Sequence, residues 1–244
     1  QDDVLVQAST LGWRDVDLRQ LQRGVAEPLP LLVGNDATLA GVAEARRGGH
    51  EGTLLYLTIE VGLGGILVTD GHPVSGARGA GGEFGHLPFG DPRLACPCGA
   101  YGCWDISVDG RAMARHRRRP SPADPYAYAV QTLEAAPSNA GAARAVSLCA
   151  ASFGRGVAGL VNALDPSEVA LGGMATPLLA TAPGAVTSAY LGGLMTWRRQ
   201  QPPPLRPSVL GPQGPLVGAA EVGLDAVVSE AGLLAWERSV RGGG

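Results

Sequence analysis

The stretch Gly85–Asp105, GHLPFGDPRLACPCGAYGCWD, carries three of the chain's four cysteines within eight residues. A histidine stands ten residues before the first, giving the spacing His86-x9-Cys96-x-Cys98-x4-Cys103. Free cysteines are commonly buried, so a packed cluster of thiols is one reading. Gly99 and Gly102 lie inside the cluster, and Pro92 and Pro97 flank its members. Those residues interrupt helices and strands, so the segment is a loop. Three thiolates and one imidazole in a loop form a donor set for tetrahedral structural zinc. Cys-x-Cys is one residue tighter than the usual pair, and on spacing alone both readings stand. Cys149 sits alone in an alanine-rich run and is expected in the core.

Upstream of this loop lie other residues capable of chemistry. Glu83 precedes His86 by three positions. A metal that fixed His86 would hold Glu83 beside it, and a carboxylate presented with an imidazole suits a polyol. In LPLLVGNDATLAGVAEARRGG, residues 29–49, a strand over Leu29–Val33 ends at Gly34 and a helix over Ala37–Arg47 follows. Asn35 and Asp36 at the junction are good helix caps. They also stand beyond the carboxyl end of a strand, where α/β proteins bind ligands. A carboxylate there could take a proton from a substrate hydroxyl. In LYLTIEVGLGGILVTDG, residues 55–71, Gly62, Gly64 and Gly65 separate two apolar runs. They allow either close approach of a phosphate or sugar, or a tight hairpin with positive φ.

The wider pattern is α/β. Strands are expected over Leu54–Ile59, Ile66–Thr69, Val169–Leu171 and Pro207–Leu210. Helices are expected over Ala140–Leu164, Leu178–Leu194 and Leu216–Ala231. Asp165-Pro166 ends the long helix, and Asp70-Gly71 marks a hairpin turn. The basic, proline-rich Arg115–Pro125 is expected as an exposed connection, and QQPPPLRP (200–207) as a stiff one.

Composition excludes some classes. A net charge of -3 offers no electrostatic footprint for nucleic acid within this chain. No run of about 18 apolar residues points to a membrane span. Four cysteines in 244 residues are too few for a disulfide scaffold, which favours a cytoplasmic protein. All 19 basic residues are arginine, a coding bias with no functional content. The first ten residues contain no signal-peptide pattern and no initiator methionine, so further sequence is expected upstream.

Taken in order, GNDATLAGVAEARRG, GLGGILVTDGHPVSGARGAGGEFGH, CPCGAYGCWD and LDPSEVALGGM resemble the ROK family of sugar kinases and sugar-responsive repressors. The resemblance implies an α/β fold of the actin-like, ribonuclease H-like kind, as in sugar kinases and Hsp70, with two lobes around a sugar cleft. Residues 1–49 would be a remnant of an incomplete N-terminal lobe. Residues 50–244 would be the C-terminal lobe with its zinc loop, and the last helix could pack back on the first lobe. The resemblance makes His86, Cys96, Cys98 and Cys103 zinc ligands. It makes Asn35, Asp36, Glu83, His86 and Asp105 sugar contacts, with Asp36 at the kinases' catalytic base. Gly62, Gly64 and Gly65 match a phosphate loop, and Gly172 and Gly173 an adenosine motif. A homodimer or homotetramer is implied by analogy.

Three departures separate this chain from the family's kinases. No Asp-x-Gly-Gly-Thr phosphate hairpin is present. Glu60-Val61-Gly62 replaces Gly-Thr-Gly, placing a carboxylate where a polyphosphate would approach. Asp105 replaces a sugar-contacting glutamate that is one methylene longer. The Glu-Val-Gly variant resembles the regulator branch, whose members carry an N-terminal helix-turn-helix. The expectation is therefore the monosaccharide-binding body of a transcriptional regulator of carbohydrate metabolism. DNA contact would lie in an upstream segment. The alternatives are a glucokinase-like sugar kinase using ATP and Mg, or a non-catalytic sugar-binding or oligomerisation module.

Overall fold

In β3 (Thr53–Glu60), Leu55, Leu57 and Ile59 point to one face and Leu54 and Tyr56 to the other. All five are buried, so the strand belongs to a sheet covered on both sides. The computed structural model describes residues 4–8, 12–24 and 31–242. β3 pairs antiparallel with β4 (Gly62–Thr69) along its whole length, Glu60 opposite Gly62. β4 pairs antiparallel with the short β5 (His72–Pro73) across the expected Asp70-Gly71 turn, both residues at positive φ. On its other edge β3 runs parallel to β6 (Glu168–Gly173), which runs parallel to β7 (Leu205–Pro207). The order is β5-β4-β3-β6-β7. A separate antiparallel pair joins β1 (Val4–Ala8) to β2 (Trp13–Asp17).

Helices close the two faces. The 25-residue α4 (Ala140–Leu164) buries Cys149, Phe153, Val157 and Val161 in the same cluster as Leu55, Leu57, Val169 and Leu171. Asn139 caps its N-terminus through the Ala142 amide at 2.9 Å, and Asp165 ends it in the left-handed region before Pro166. Its composition would allow it to cross a bilayer, but 67% of its most apolar window is buried in the protein. It is a core helix. On the opposite face, α1 (Asp36–Arg47) lies between the sheet and α7 (Gly214–Val228). Small residues make that layer possible. A Cβ on Gly41 would stand 2.2 Å from Ile66, and one on Gly218 of α7 would stand 1.9 Å from the Leu39 carbonyl.

Four expectations change. Leu29 and Pro30 lie outside the described residues, and Leu31–Val33 join no ladder. The last strand is β7, two residues earlier than Pro207–Leu210, because the Val209 and Leu210 amides bond to the Glu44 carboxylate and not to a strand. The helix expected over Leu178–Leu194 is two, α5 (Ala175–Thr181) and α6 (Pro183–Gly193). Pro183 has no N–H to continue the first helix but suits the start of the second. The expected Leu216–Ala231 helix ends at Val228, and α8 (Glu230–Gly242) follows. Two short helices were not expected, α2 (Gly110–His116) and α3 (Pro125–Ala135). Asp109 and Asp124 cap them, and Pro125 begins the second.

Candidate ligand cleft and metal centre

The cysteine loop is organised by its own backbone. The Cys96 amide bonds to the Ala100 carbonyl at 2.8 Å, and the Gly99 amide to the Cys96 carbonyl at 2.9 Å. Gly99 at φ +98 and Gly102 at φ +71 supply the left-handed turns that bring the chain back. The loop is pinned at its exit by Trp104, fully buried between Phe89 and Phe153. The indole N–H donates to the Ser152 carbonyl of α4 at 3.2 Å.

His86, Cys96, Cys98 and Cys103 converge, each offering one donor atom, all within 4.8 Å of one another. Cys98 and Cys103 sulfurs are 3.7 Å apart, and Cys96 Sγ lies 3.9 Å from His86 Nδ1. Sulfurs 2.3 Å from a tetrahedral zinc would be about 3.8 Å apart. Burial and the two neighbouring thiols push the Cys103 thiol up to about 12. Thiols this close would become thiolates together only beside a cation, and the donor set fits zinc. Among the described residues this is the group whose donors could hold a metal ion.

The other ring nitrogen of His86 faces away from the thiols, with Nε2 3.7 Å from Glu83 Oε2. Glu83 is exposed. Asp105 is engaged on both oxygens. Oδ1 accepts the Leu63 amide at 2.7 Å, and Oδ2 accepts Arg111 at 3.0 Å. Arg111 also bonds Asp109 at 2.6 Å, so the end of the Cys/His loop is tied to the start of α2.

The glycine run is the platform on which these pieces meet. Gly62, Gly64 and Gly65 stand within β4, after a one-residue turn at Val61. A Cβ on Gly62 would lie 2.1 Å from Asp105 Oδ1, on Gly64 2.7 Å from Ala37, and on Gly65 3.1 Å from Phe84. Absent side chains let the Asp105 turn, the N-terminus of α1 and the Glu83–His86 turn all close on one strand.

Asn35 caps α1, its Oδ1 accepting the Thr38 amide at 3.1 Å. Asp36 is exposed, with Oδ1 on the Ala37 amide at 2.8 Å. It lines a cleft of about 670 Å³ bounded by α1, the ends of β3 and β6, and the start of α7. Gly172 and Gly173 form its floor beside Tyr56, Thr58 and Glu60. Asn35, Glu83, His86 and Asp105 stand outside that lining, joined to it through β4. Partial burial, and next the Asp36 charge, raise the Glu60 carboxyl above its ordinary range, while the Thr58 hydroxyl opposes this.

Glu44 and Ser208 carried no expectation. Glu44 is fully buried and accepts Ser208 Oγ at 2.6 Å, and Ser208 lines the cleft. A signal for Glu44 existed. Positions 37, 40, 41 and 44 share one helical face, and Ala37, Ala40 and Gly41 are small enough to pack there, so an acid at 44 falls on the buried face.

A mixed sheet between helical layers, with a cleft at the strand ends and a Cys/His loop beside it, defines an actin-like α/β protein of the sugar-kinase kind. The chain belongs to the ROK family, whose model matches residues 1–225. It is 30% identical over 182 residues to a glucokinase of Halalkalibacterium halodurans, covering 68% of this chain and 55% of that protein. It is 29% identical to a xylose repressor of Caldicellulosiruptor bescii, covering 69% and 46%. The chain thus spans about half the length of these relatives. The structure of a ROK family glucokinase from Streptomyces griseus in complex with glucose and AMPPNP superposes with a TM-score of 0.77, at 24% identity, over 90% of this chain and 76% of that one.

Proposed function

We propose that this chain is the sugar-binding body of a ROK transcriptional regulator, built around a structural zinc, with Asn35, Asp36, Glu83 and His86 meeting the sugar. The observation that carries this choice is the charge of the cleft. Asp36 and Glu60 line it, and no arginine or histidine does so among the described residues. Phosphoryl transfer needs positive groups or hydrogen-bond donors where negative charge develops on the phosphate. A cleft with two carboxylates and no basic side chain opposes a polyphosphate, yet hydrogen-bonds a neutral polyol well. The likeness to a xylose repressor agrees with this reading. DNA contact belongs to a segment outside this chain, and a cytoplasmic, homo-oligomeric protein is part of the same proposal.

The kinase reading keeps one observation of its own. Asp36 is exposed in the cleft at the position expected of a base, and a glucokinase is among the relatives. ATP and Mg would then be required. Full-length protein assayed with ATP–magnesium and a panel of hexoses and pentoses, alongside sugar-dependent release from DNA, separates the two. Release from DNA by a sugar without phosphorylation is expected. Turnover of about 1–100 s⁻¹ without DNA binding would promote the kinase. Sugar binding with neither activity would leave a non-catalytic module.

A further inference from the structure

A buried relay runs behind the cleft. Glu44 lies two turns along α1 from Asp36. Its Oε2 accepts Ser208 Oγ at 2.6 Å and the Leu210 amide at 3.3 Å. Its Oε1 accepts the Val209 amide at 2.8 Å and faces His50 Nε2 at 3.0 Å. His50 Nδ1 stands 2.5 Å from Glu168 Oε1, and Arg206 Nε is 3.3 Å from Glu168 Oε2. Ser208 and Gly211 line the cleft from the wall that Glu44 holds, and Asp36 lines it from α1. A neutral imidazole carries one N–H and can serve one carboxylate. Both ring nitrogens of His50 face carboxylates, so the imidazolium alone satisfies the pair.

We propose that Glu44 is a positioning residue of the ligand cleft, fixing the Ser208–Gly211 wall relative to Asp36, and that the His50 imidazolium holds it in that role. The proposal rests on the sugar-binding reading of the cleft. The charged and titratable groups around His50 are Glu44 from α1 and Glu168 from β6. Arg206 of β7 lies on the far oxygen of Glu168, and Tyr56 of β3 stands near Glu44. When the imidazolium loses its proton, Glu168 keeps Arg206 but Glu44 keeps only neutral donors. The clamp therefore loosens as pH rises.

Two measurements on the full-length protein test this. Amide exchange protection at Val209 and Leu210 is followed from below to above the His50 titration. It is expected to fall on the alkaline side in the wild type, to be low throughout in Glu44→Gln, and to lose its pH dependence in His50→Gln. Calorimetry with D-glucose, D-xylose and N-acetylglucosamine reads the ligand. Dissociation constants are expected to rise about tenfold in Glu44→Gln, the equivalent of one charged hydrogen bond. Their pH dependence is expected to vanish in His50→Gln. Equal protection in all three proteins overturns the proposal, as does altered protection with unchanged affinity. If Glu44→Gln fails to fold, the His50→Gln profile decides alone. If the wild type binds none of the sugars, the sugar-binding reading fails, while exchange still decides whether Glu44 fixes the wall.

Discussion

His86 turns Nδ1 to the thiols and Nε2 toward Glu83, so one ring joins the thiol cluster to a presented carboxylate. Asp36 stands differently, exposed at a helix start and open to the cleft. Asp36→Ala is expected to weaken binding of the cognate sugar by about 1.5–3 kcal/mol, the worth of a hydrogen bond to a charged acceptor. Titration calorimetry measures it, and an unchanged affinity would leave Asp36 as a helix-start residue only. Gly156 offers a test of packing. A Cβ there would lie 2.2 Å from the Trp104 ring, which Phe89 and Phe153 hold in place. Gly156→Val is expected to destabilise the fold by about 1–3 kcal/mol through overpacking. Urea unfolding would show it, and wild-type stability would mean that the ring can move.

At the scale of elements, α1 is tied to the sheet and to its neighbours by charge as well as by packing. Arg46 bonds Asp225 of α7 at 2.7 Å and the Gly71 carbonyl at 2.9 Å. Glu44, His50 and Glu168 join α1 to β6. Burial alone would lower the His50 pKa, but the two carboxylates outweigh it and raise the group above its ordinary 6.5. Burial alone would raise Glu44, but hydrogen bonds from Ser208, Val209 and His50 outweigh it and hold the group below 4.5. The His50 contribution to stability is therefore complete below about 6.5 and lost as pH rises through the folded-state value. The Glu44 contribution is present above about 4.5 and lost as pH falls through its depressed value. Stability measured by denaturant unfolding should be greatest between those two limits. His50→Gln should remove the alkaline decline and leave the acid one. An alkaline decline that persists in that variant would assign it to another group.

On the scale of the whole molecule, the Cys/His loop hangs between two anchors. Trp104 fixes it to α4, and Asp105 fixes it to the β3–β4 turn through the Leu63 amide. Metal-replete protein should hold one equivalent of zinc by elemental analysis. Chelation should raise amide exchange over Gly85–Trp104 and reduce sugar affinity through Glu83 and His86, while the β3–β4–β6 sheet stays protected. Sheet unfolding at the same chelator concentration would show that the metal holds the fold and not only the loop.

The amino-acid sequence by itself determined the sheet core, the hairpin turn, the long helix with its stop, and the grouping of four donor side chains. Each rests on short-range rules. Alternation over Leu54–Ile59 sets two buried faces, Asp70-Gly71 admits positive φ, and Pro166 stops α4. The Cys-x-Cys loop can bring its donors together within its own turns. Only the tertiary structure decided what depends on partners distant in the chain. Glu44 takes the Ser208 hydroxyl and draws the Val209 and Leu210 amides off the sheet from 164 or more positions away, which displaced the last strand. Asp105, a candidate sugar contact by sequence, has its oxygens on Leu63 and Arg111. Gly62, Gly64 and Gly65 became a packing platform because three separate segments close on β4. A hydrogen-bonding group takes whichever partner the fold brings within reach, and local spacing does not encode that partner.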